Sequence, residues 1–542
     1  MNLVARVLPD VGAIEKTFDY LVPDSFRDQV RVGTIVRVPL HGRRVRGWVV
    51  DVGVEPPPGV RLLPIAKVTG WGPTDDVVDL ARWVAWRWAG KVTNVLDTAS
   101  PPTAVAGLPN LPAVQRRFGA ESALYELADM VPAAIAAGGG LLRIPPATDL
   151  TPLVAATANA LGDIAVVCPS VDAARRIGAV LRRAGHSIVL FPRDWARATA
   201  GGSIVIGARS TVFASNRRGF GGFLVVDEHD EAHQEERMPT WHARDIAIER
   251  ARRLGVPCLL TSPTPTLEAL AWAGAANTFT PARQAERDGW PVVQIVDRTQ
   301  EDPGKATILS DQLVRHLRGD GRVVCVLNRK GRARLLACRS CQRVAHCERC
   351  DAAVIQPAGE SRLHCQRCGT DRPVVCAHCG ATAMRNARPG ITRLREELEA
   401  LAGEPVSELD ATASAGDPAT RIVIGTEAVL HHVREAAVVA FLDFDQELLA
   451  PRYRAAEQAL ALLARAGRLV GGRRKGGTVL IQTWHPHHEV IEAALLAEPG
   501  RVATAERSRR QELGFPPFAA LAEVSGAGAP EFVLNLGTQY LE

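Results

Sequence analysis

Eight cysteines fall between positions 338 and 379 as four C-x-x-C pairs, Cys338/Cys341, Cys347/Cys350, Cys365/Cys368 and Cys376/Cys379. A C-x-x-C turn sets two thiolates on one metal at tetrahedral angles, so two pairs fill one zinc site and four pairs fill two. No position is left for water, which marks both zincs as structural. A disulfide framework is the alternative. Against it, the chain opens Met1-Asn2-Leu3-Val4-Ala5-Arg6 without a basic-then-apolar leader, and in a reducing cytoplasm paired cysteines hold metal. The spacing leaves the pairing open: adjacent pairs share a zinc, or the outer pairs enclose the inner ones. A segment of about 40 residues with few large apolar side chains depends on such metal for its fold.

The other three cysteines, Cys168, Cys258 and Cys325, sit in short apolar runs such as Ile164-Ala165-Val166-Val167-Cys168. They read as small buried hydrophobes. With 542 residues, 46% apolar and 23% charged, the chain suits a globular protein of several domains. No apolar run approaches the roughly 20 residues that cross a bilayer, so no membrane partner is expected. The net charge of +5 is small for this length, so a nucleic-acid partner must be argued from local clusters. One such cluster is Arg329, Lys330, Arg332, Arg334, Arg339 and Arg343, leading into the cysteines with no acidic residue among them. That charge suits phosphate contact.

In chain order, Gly33–Pro39 and Gly47–Val52 are β-rich runs around the turn Leu40-His41-Gly42-Arg43-Arg44, predicting a small barrel or sandwich. Asp75–Ala89 reads as a tryptophan-rich helix whose Trp83, Trp86 and Trp88 pack into a core. Prolines from Ser100 to Pro112 suggest a linker. Two sets of apolar strands alternating with helices follow. The first is 163–168, 203–206, 223–226 and 256–260, with a helix at 171–184. The second is 322–327, 421–424, 438–442 and 478–482. Each set argues a parallel α/β sheet, and the cysteine array is expected after the first strand of the second.

Several stretches together resemble the PriA family of replication-restart proteins: Thr17-Phe18-Asp19-Tyr20-Leu21-Val22-Pro23, Ile206-Gly207-Ala208-Arg209-Ser210, Trp241-His242-Ala243-Arg244-Asp245, Leu327-Asn328-Arg329-Lys330-Gly331, the cysteines, and Gln482-Thr483-Trp484-His485-Pro486. The resemblance implies a multidomain α/β plan. It places a 3′-DNA-end-binding domain at 1–104, a linker in place of a winged helix at 105–130, and a RecA-like first lobe at 131–278. A second lobe spans 279–335 and 383–500, with a zinc insertion at 336–382 and the start of a shortened C-terminal domain at 501–542. It implies two zincs, with the outer cysteine pairs sharing one. Forked and single-stranded DNA, primosome proteins, the helicase-loading machinery and single-stranded-DNA-binding protein are the implied partners, in the cytoplasm. Phe18, Asp19 and Gly42 match a pocket for a terminal base and its 3′-hydroxyl. The lysine expected near Leu63 is absent, and Lys67 and Arg61 are the nearest cations. Arg329 and Lys330 extend the DNA surface.

The departures concern catalysis. A phosphate loop runs G-x-x-x-x-G-K-[ST]. Here the place is taken by Leu142-Arg143-Ile144-Pro145-Pro146-Ala147-Thr148-Asp149-Leu150-Thr151, and no lysine occurs between Lys91 and Lys305. Prolines remove donors and Asp149 adds a negative charge where phosphates would lie. Arg143 is the one candidate to replace the lysine's charge. Asp227 and Glu228 are remnants of the acidic motif that would hold magnesium, and Arg465 and Arg468 are remnants of the arginines that reach the γ-phosphate. The expectation is a fork-binding restart protein without helicase activity and without firm ATP or magnesium binding. The alternative is an active ATP-dependent 3′-to-5′ DNA helicase.

Overall fold

The structure is a computed structural model that describes residues 3–12, 14–55, 59–110, 129–300, 308–327, 336–341, 345, 347–349, 354–356, 361–365, 369–386, 391–409, 417, 419–450, 452–524, 528–529 and 531–534. The chain divides into two compact units, Met1–Glu286 with Glu506–Glu542, and Arg287–Ala505.

The first unit opens with strands β1 (Val4–Pro9), β2 (Phe18–Leu21), β3 (Ile35–Leu40), β4 (Arg43–Val52) and β5 (Lys67–Gly70), in the order β2-β1-β4-β3-β5. The sheet closes on itself. Leu21 N–H donates to Leu63 O and Ile65 N–H to Leu21 O, so the choice between barrel and sandwich falls to a barrel. Side chains alternate across each strand: Val7, Val36, Val38 and Val49 fill the interior, and Arg37 faces solvent. Between β3 and β4 the two-residue turn His41-Gly42 has φ values of 46° and 77°. Both central residues of such a hairpin need positive φ, a conformation only glycine adopts freely.

Helices α1 (Asp75–Arg87) and α2 (Val92–Ala99) carry the barrel's core into the next domain. Trp48 on β4, fully buried, donates to Ser100 Oγ, and Trp195 Nε1 donates to Ala99 O. Trp83 and Trp88 meet edge to face at 5.5 Å and pack against this core. Trp86 does not. It is 75% exposed, because it lies on the helix face turned away from the buried Val77, Leu80, Ala81 and Val84.

The lobe that follows is a seven-stranded, wholly parallel sheet: β6 (Gly139–Arg143), β7 (Ile164–Val167), β8 (Ile188–Phe191), β9 (Ile204–Gly207), β10 (Gly222–Val225), β11 (Cys258–Ser262) and β12 (Thr278–Phe279), ordered β12-β6-β11-β10-β7-β9-β8. Both faces are covered. Ala165 and Val167 enter one core and Ile164 and Val166 the other, which is why these strands read as unbroken apolar runs.

The second unit holds a six-stranded parallel sheet of β13 (Val292–Asp297), β14 (Val323–Val326), β19 (Val406–Leu409), β20 (Ile422–Gly425), β21 (Val438–Phe441) and β22 (Thr478–Thr483), ordered β13-β22-β21-β14-β20-β19. Four short strands between β14 and β19, β15 (Leu336–Cys338), β16 (Arg362–His364), β17 (Asp371–Pro373) and β18 (Met384–Asn386), form two antiparallel ladders. The cysteine insertion therefore follows the second strand of this sheet. The expectation of one preceding strand missed β13, whose Val292-Val293-Gln294-Ile295 is half-exposed and interrupted by a polar residue. Two parallel α/β sheets thus follow a β-rich domain. No helix is long and apolar enough to cross a membrane.

Candidate metal centre and nucleic-acid interface

Strand β15 ends on Cys338 and pairs with β18, which brings the first C-x-x-C turn against the last. The four Sγ atoms of Cys338, Cys341, Cys376 and Cys379 lie within 4.8 Å of one another, with Cys338–Cys379 at 3.4 Å and Cys341–Cys376 at 3.6 Å. Zinc–sulfur bonds of about 2.3 Å put tetrahedral sulfurs about 3.8 Å apart, whereas a disulfide needs about 2.05 Å. The set fits a four-thiolate zinc, paired outer with outer. Backbone N–H groups of Cys341 and Ser340 pull the Cys338 thiol down to about 6. Cys379 is drawn down by the Ala381 N–H, but its neighbouring thiols outweigh that and push it up to about 12. Four thiols this close cannot all ionise unless a cation sits among them.

The inner pairs contribute Cys347 and Cys365, both buried in a small core with Leu336, Val354 and Leu363; Cys350 and Cys368 lie outside the described residues. Two turns share one hydrogen-bond frame. Cys376 N–H donates to Ala381 O and accepts at its carbonyl from Gly380 N–H; Cys365 does the same with Thr370 O and Gly369 N–H. Gly369 and Gly380 stand at φ 71° and 73°, so each C-x-x-C-G needs its glycine to turn.

In the first lobe, the connection from β6 to the helix Thr151–Leu161 occupies the place of a phosphate loop. Its own side chains fill it. Ile144 and Leu150 are buried in the lobe's core, and Asp149 Oδ1 accepts the Thr151 N–H at 2.9 Å, taking a helix-start donor that would otherwise face an anion. Arg143 is not free to replace a lysine. Its Nε donates to Glu286 at 2.8 Å, and that carboxylate is 1% exposed. Withdrawing the arginine would cost that buried carboxylate a charge partner.

The acidic pair after β10 is held as tightly. Glu228 is fully buried, accepting from Arg244 Nη1 at 3.0 Å and from Thr266 through its N–H and Oγ1. Asp227 is 3% exposed at φ 53°, with its N–H on Thr261 Oγ1, a conformation non-glycine residues adopt at a cost. His229 Nδ1 meets Ser262 Oγ at 2.8 Å, linking this turn to the end of β11. In the second unit Arg465, half-buried, touches His431 Nε2 at 2.7 Å, and Arg468 is exposed on the same helix. The apolar cysteines behave as read: burial pushes Cys258 and Cys325 up to about 12, and Cys168 higher still.

On the barrel, Asp19 faces Arg6 across β1 and β2 and accepts from two of its nitrogens, Nε at 2.8 Å and Nη2 at 3.1 Å. Phe18, opposite the interior Val7, packs against the barrel core on the other face of the strand. Leu63 lies beside β2 through its carbonyl, and its side chain is half exposed. Lys67 stands across from Arg37 on β3, both exposed and, among the described residues, without an ion pair. Arg43 and Arg44 follow at the hairpin. Gly42 has open space where a Cβ would lie. Arg329 and Lys330 fall outside the described residues.

Residues 6–101 match the model of the PriA 3'DNA-binding domain (3'BD). Replication restart protein PriA of Bacillus subtilis is 29% identical over 59% of this chain and 43% of its own length. That of Rickettsia conorii is 22% identical over 97% of this chain and 88% of its own. Nearly the whole chain is thus similar to PriA replication restart proteins. A probable PriA of Mycobacterium leprae is 27% identical over 95% of this chain and 86% of its own length. The match spans less than half of the Bacillus subtilis and Haemophilus influenzae PriA proteins, 43% and 47%. Among solved structures, the Escherichia coli DExH-box NTPase HrpB aligns over 74% of this chain and 50% of its own, at 15% identity and a TM-score of 0.36. Segment 61–65 lies beside β2 and carries Leu63 where the resemblance led to the expectation of a lysine. Sequence reasoning missed Arg6, Glu286 and Arg244. Only Arg244, inside a quoted motif, had a signal in the sequence.

Proposed function

We propose that this chain recognises and binds abandoned or stalled replication forks and promotes primosome assembly and reloading of the replicative helicase, without unwinding DNA itself. One observation carries the loss of catalysis: the strand-to-helix turn after β6 is filled by Ile144 and Leu150, with Asp149 on the Thr151 N–H and Arg143 committed to Glu286. A nucleotide's β/γ-phosphates find there a carboxylate and no lysine, and removing even one charge-stabilising donor costs about 10² to 10³ in rate. Fork binding is supported by the 3'BD match and by the exposed Lys67, Arg37, Arg43 and Arg44 on the barrel. Two zincs per chain are part of the reading, the second held by Cys347, Cys350, Cys365 and Cys368, because the Cys365 turn repeats the Cys376 turn bond for bond. A cytoplasmic setting, single-stranded-DNA-binding protein as a partner, the remaining primosome contacts and the domain limits given above belong to the same proposal.

The competing reading is an active 3′-to-5′ helicase, favoured by the His229–Ser262 contact and by the exposed Arg468. The test is ATP turnover by the purified chain with and without forked DNA, alongside fork binding. Binding with hydrolysis at background is expected. Steady hydrolysis that rises with a fork and disappears in Asp227→Asn would restore the helicase.

A further inference from the structure

Trp71 lies between the barrel and the first lobe, within the first unit. Its backbone is fixed by close packing: its N–H donates to Val105 O at 2.8 Å, and a Cβ on Gly70 or Gly72 would strike Val105 O at 2.4 Å or Gly33 O at 2.0 Å. Two guanidinium groups lie over its indole ring, Arg31 at 3.1 Å from the centroid and Arg217 at 5.0 Å. Arg31 comes from the barrel and Arg217 from the lobe's 214–219 loop, whose next residue is Arg218; all three arginines are exposed.

Stacking on one ring explains why each arginine is held there, but it does not explain why two like charges are held together. Among the described residues neither guanidinium has an acidic partner. The carboxylates nearby are committed elsewhere. Asp76 takes Arg250 Nη2 at 2.8 Å and Thr74 Oγ1, and Asp163 takes the Gly202 N–H and Asn216 Nδ2. Burial and the charge of Arg217 both lower Arg31 from its ordinary value. A fixed, repelling pair of guanidiniums is relieved by an anion with several acceptor oxygens.

We propose that Arg31 and Arg217, spaced by Trp71, clamp one phosphodiester group of bound DNA and form a second contact beyond the barrel's 3′-end site. The clamp rests on the fork-binding reading. It places DNA across the junction of barrel and lobe and makes affinity there independent of sequence, since a phosphate contact carries no base information.

The experiment is fluorescence anisotropy of a labelled fork with the full chain between 50 and 200 mM salt. Each phosphate neutralised adds about 0.7 to 0.9 to the log–log salt slope. Arg31→Gln and Arg217→Gln should each lower the slope by about that amount, so that affinity falls about threefold less over this range. The double variant should lose no more than either single one, because both arginines serve one phosphate. Arg31→Lys should keep the slope. Arg217→Gln, on an exposed loop, carries the test if Arg31→Gln does not fold. If the parent chain binds forks and both glutamine variants keep its slope, the clamp is overturned and fork binding stands. A parent chain that binds no fork would overturn both.

Discussion

Replacing Glu228 with glutamine separates a structural role from a catalytic one. Its carboxylate is fully buried and Arg244 is 4% exposed, so Glu228→Gln leaves a guanidinium facing an amide in a dry site. Breaking a buried pair by removing one charge costs about 3 to 5 kcal/mol. The low end applies here, because Asp245 still accepts from Arg244 Nε at 2.9 Å. About 3 kcal/mol corresponds to a fall in Tm of about 6 to 12 °C for a lobe of this size. Adding Arg244→Met removes the stranded charge and should recover more than half of the loss. The assay is thermal unfolding of the full chain followed by tryptophan emission, with ATP turnover measured in parallel. In a working ATPase the same substitution abolishes turnover and spares the fold. Here the fold should weaken and turnover should stay at background. A Tm within about 1 °C of the parent would refute the pairing argument, since 1 kcal/mol already moves it by about 2 °C or more.

Cys338→Ser and Cys376→Ser should each lose the same zinc and retain the other, measured as metal per chain; loss of different ions would contradict the outer-with-outer pairing of their sulfurs. Glu249 accepts from Arg252 and Arg253, which hold it at about 2 against its ordinary 4.5. A depressed carboxylate stabilises above its unfolded value, so that contribution is present above about 4.5 and lost as pH falls toward about 2; Glu249→Gln should flatten the acid limb of a pH–stability profile over that window. Arg6→Ala should sharpen discrimination against a 3′-phosphate fork relative to a 3′-hydroxyl fork, because it frees the Asp19 carboxylate to repel an anion. The same ratio in parent and variant would show that Asp19 does not face the DNA end.

Residue types and local spacing settle chemistry that needs no partner from afar. Four C-x-x-C pairs announce structural zinc wherever they fold, each four-residue turn being its own ligand frame, and Gly369 and Gly380 carry the turn in the next residue. Uninterrupted apolar runs such as Ile164–Val167 mark strands covered on both faces. The missing lysine between Lys91 and Lys305 is equally plain, because no fold supplies a residue the chain lacks.

What the sequence leaves open is how each charged group is matched. Arg143 reads as a substitute for the phosphate-loop lysine until Glu286, 143 positions on, is seen to hold it. Asp19 reads as a free acceptor until the β1–β2 register sets Arg6 opposite. Trp71, unremarkable in the linear chain, gains its two arginines from 40 positions before and 146 after. Whether a charge acts or is spent depends on its neighbours within a few ångströms, and chain closure through a sheet or a domain junction chooses those neighbours without regard to their separation in sequence.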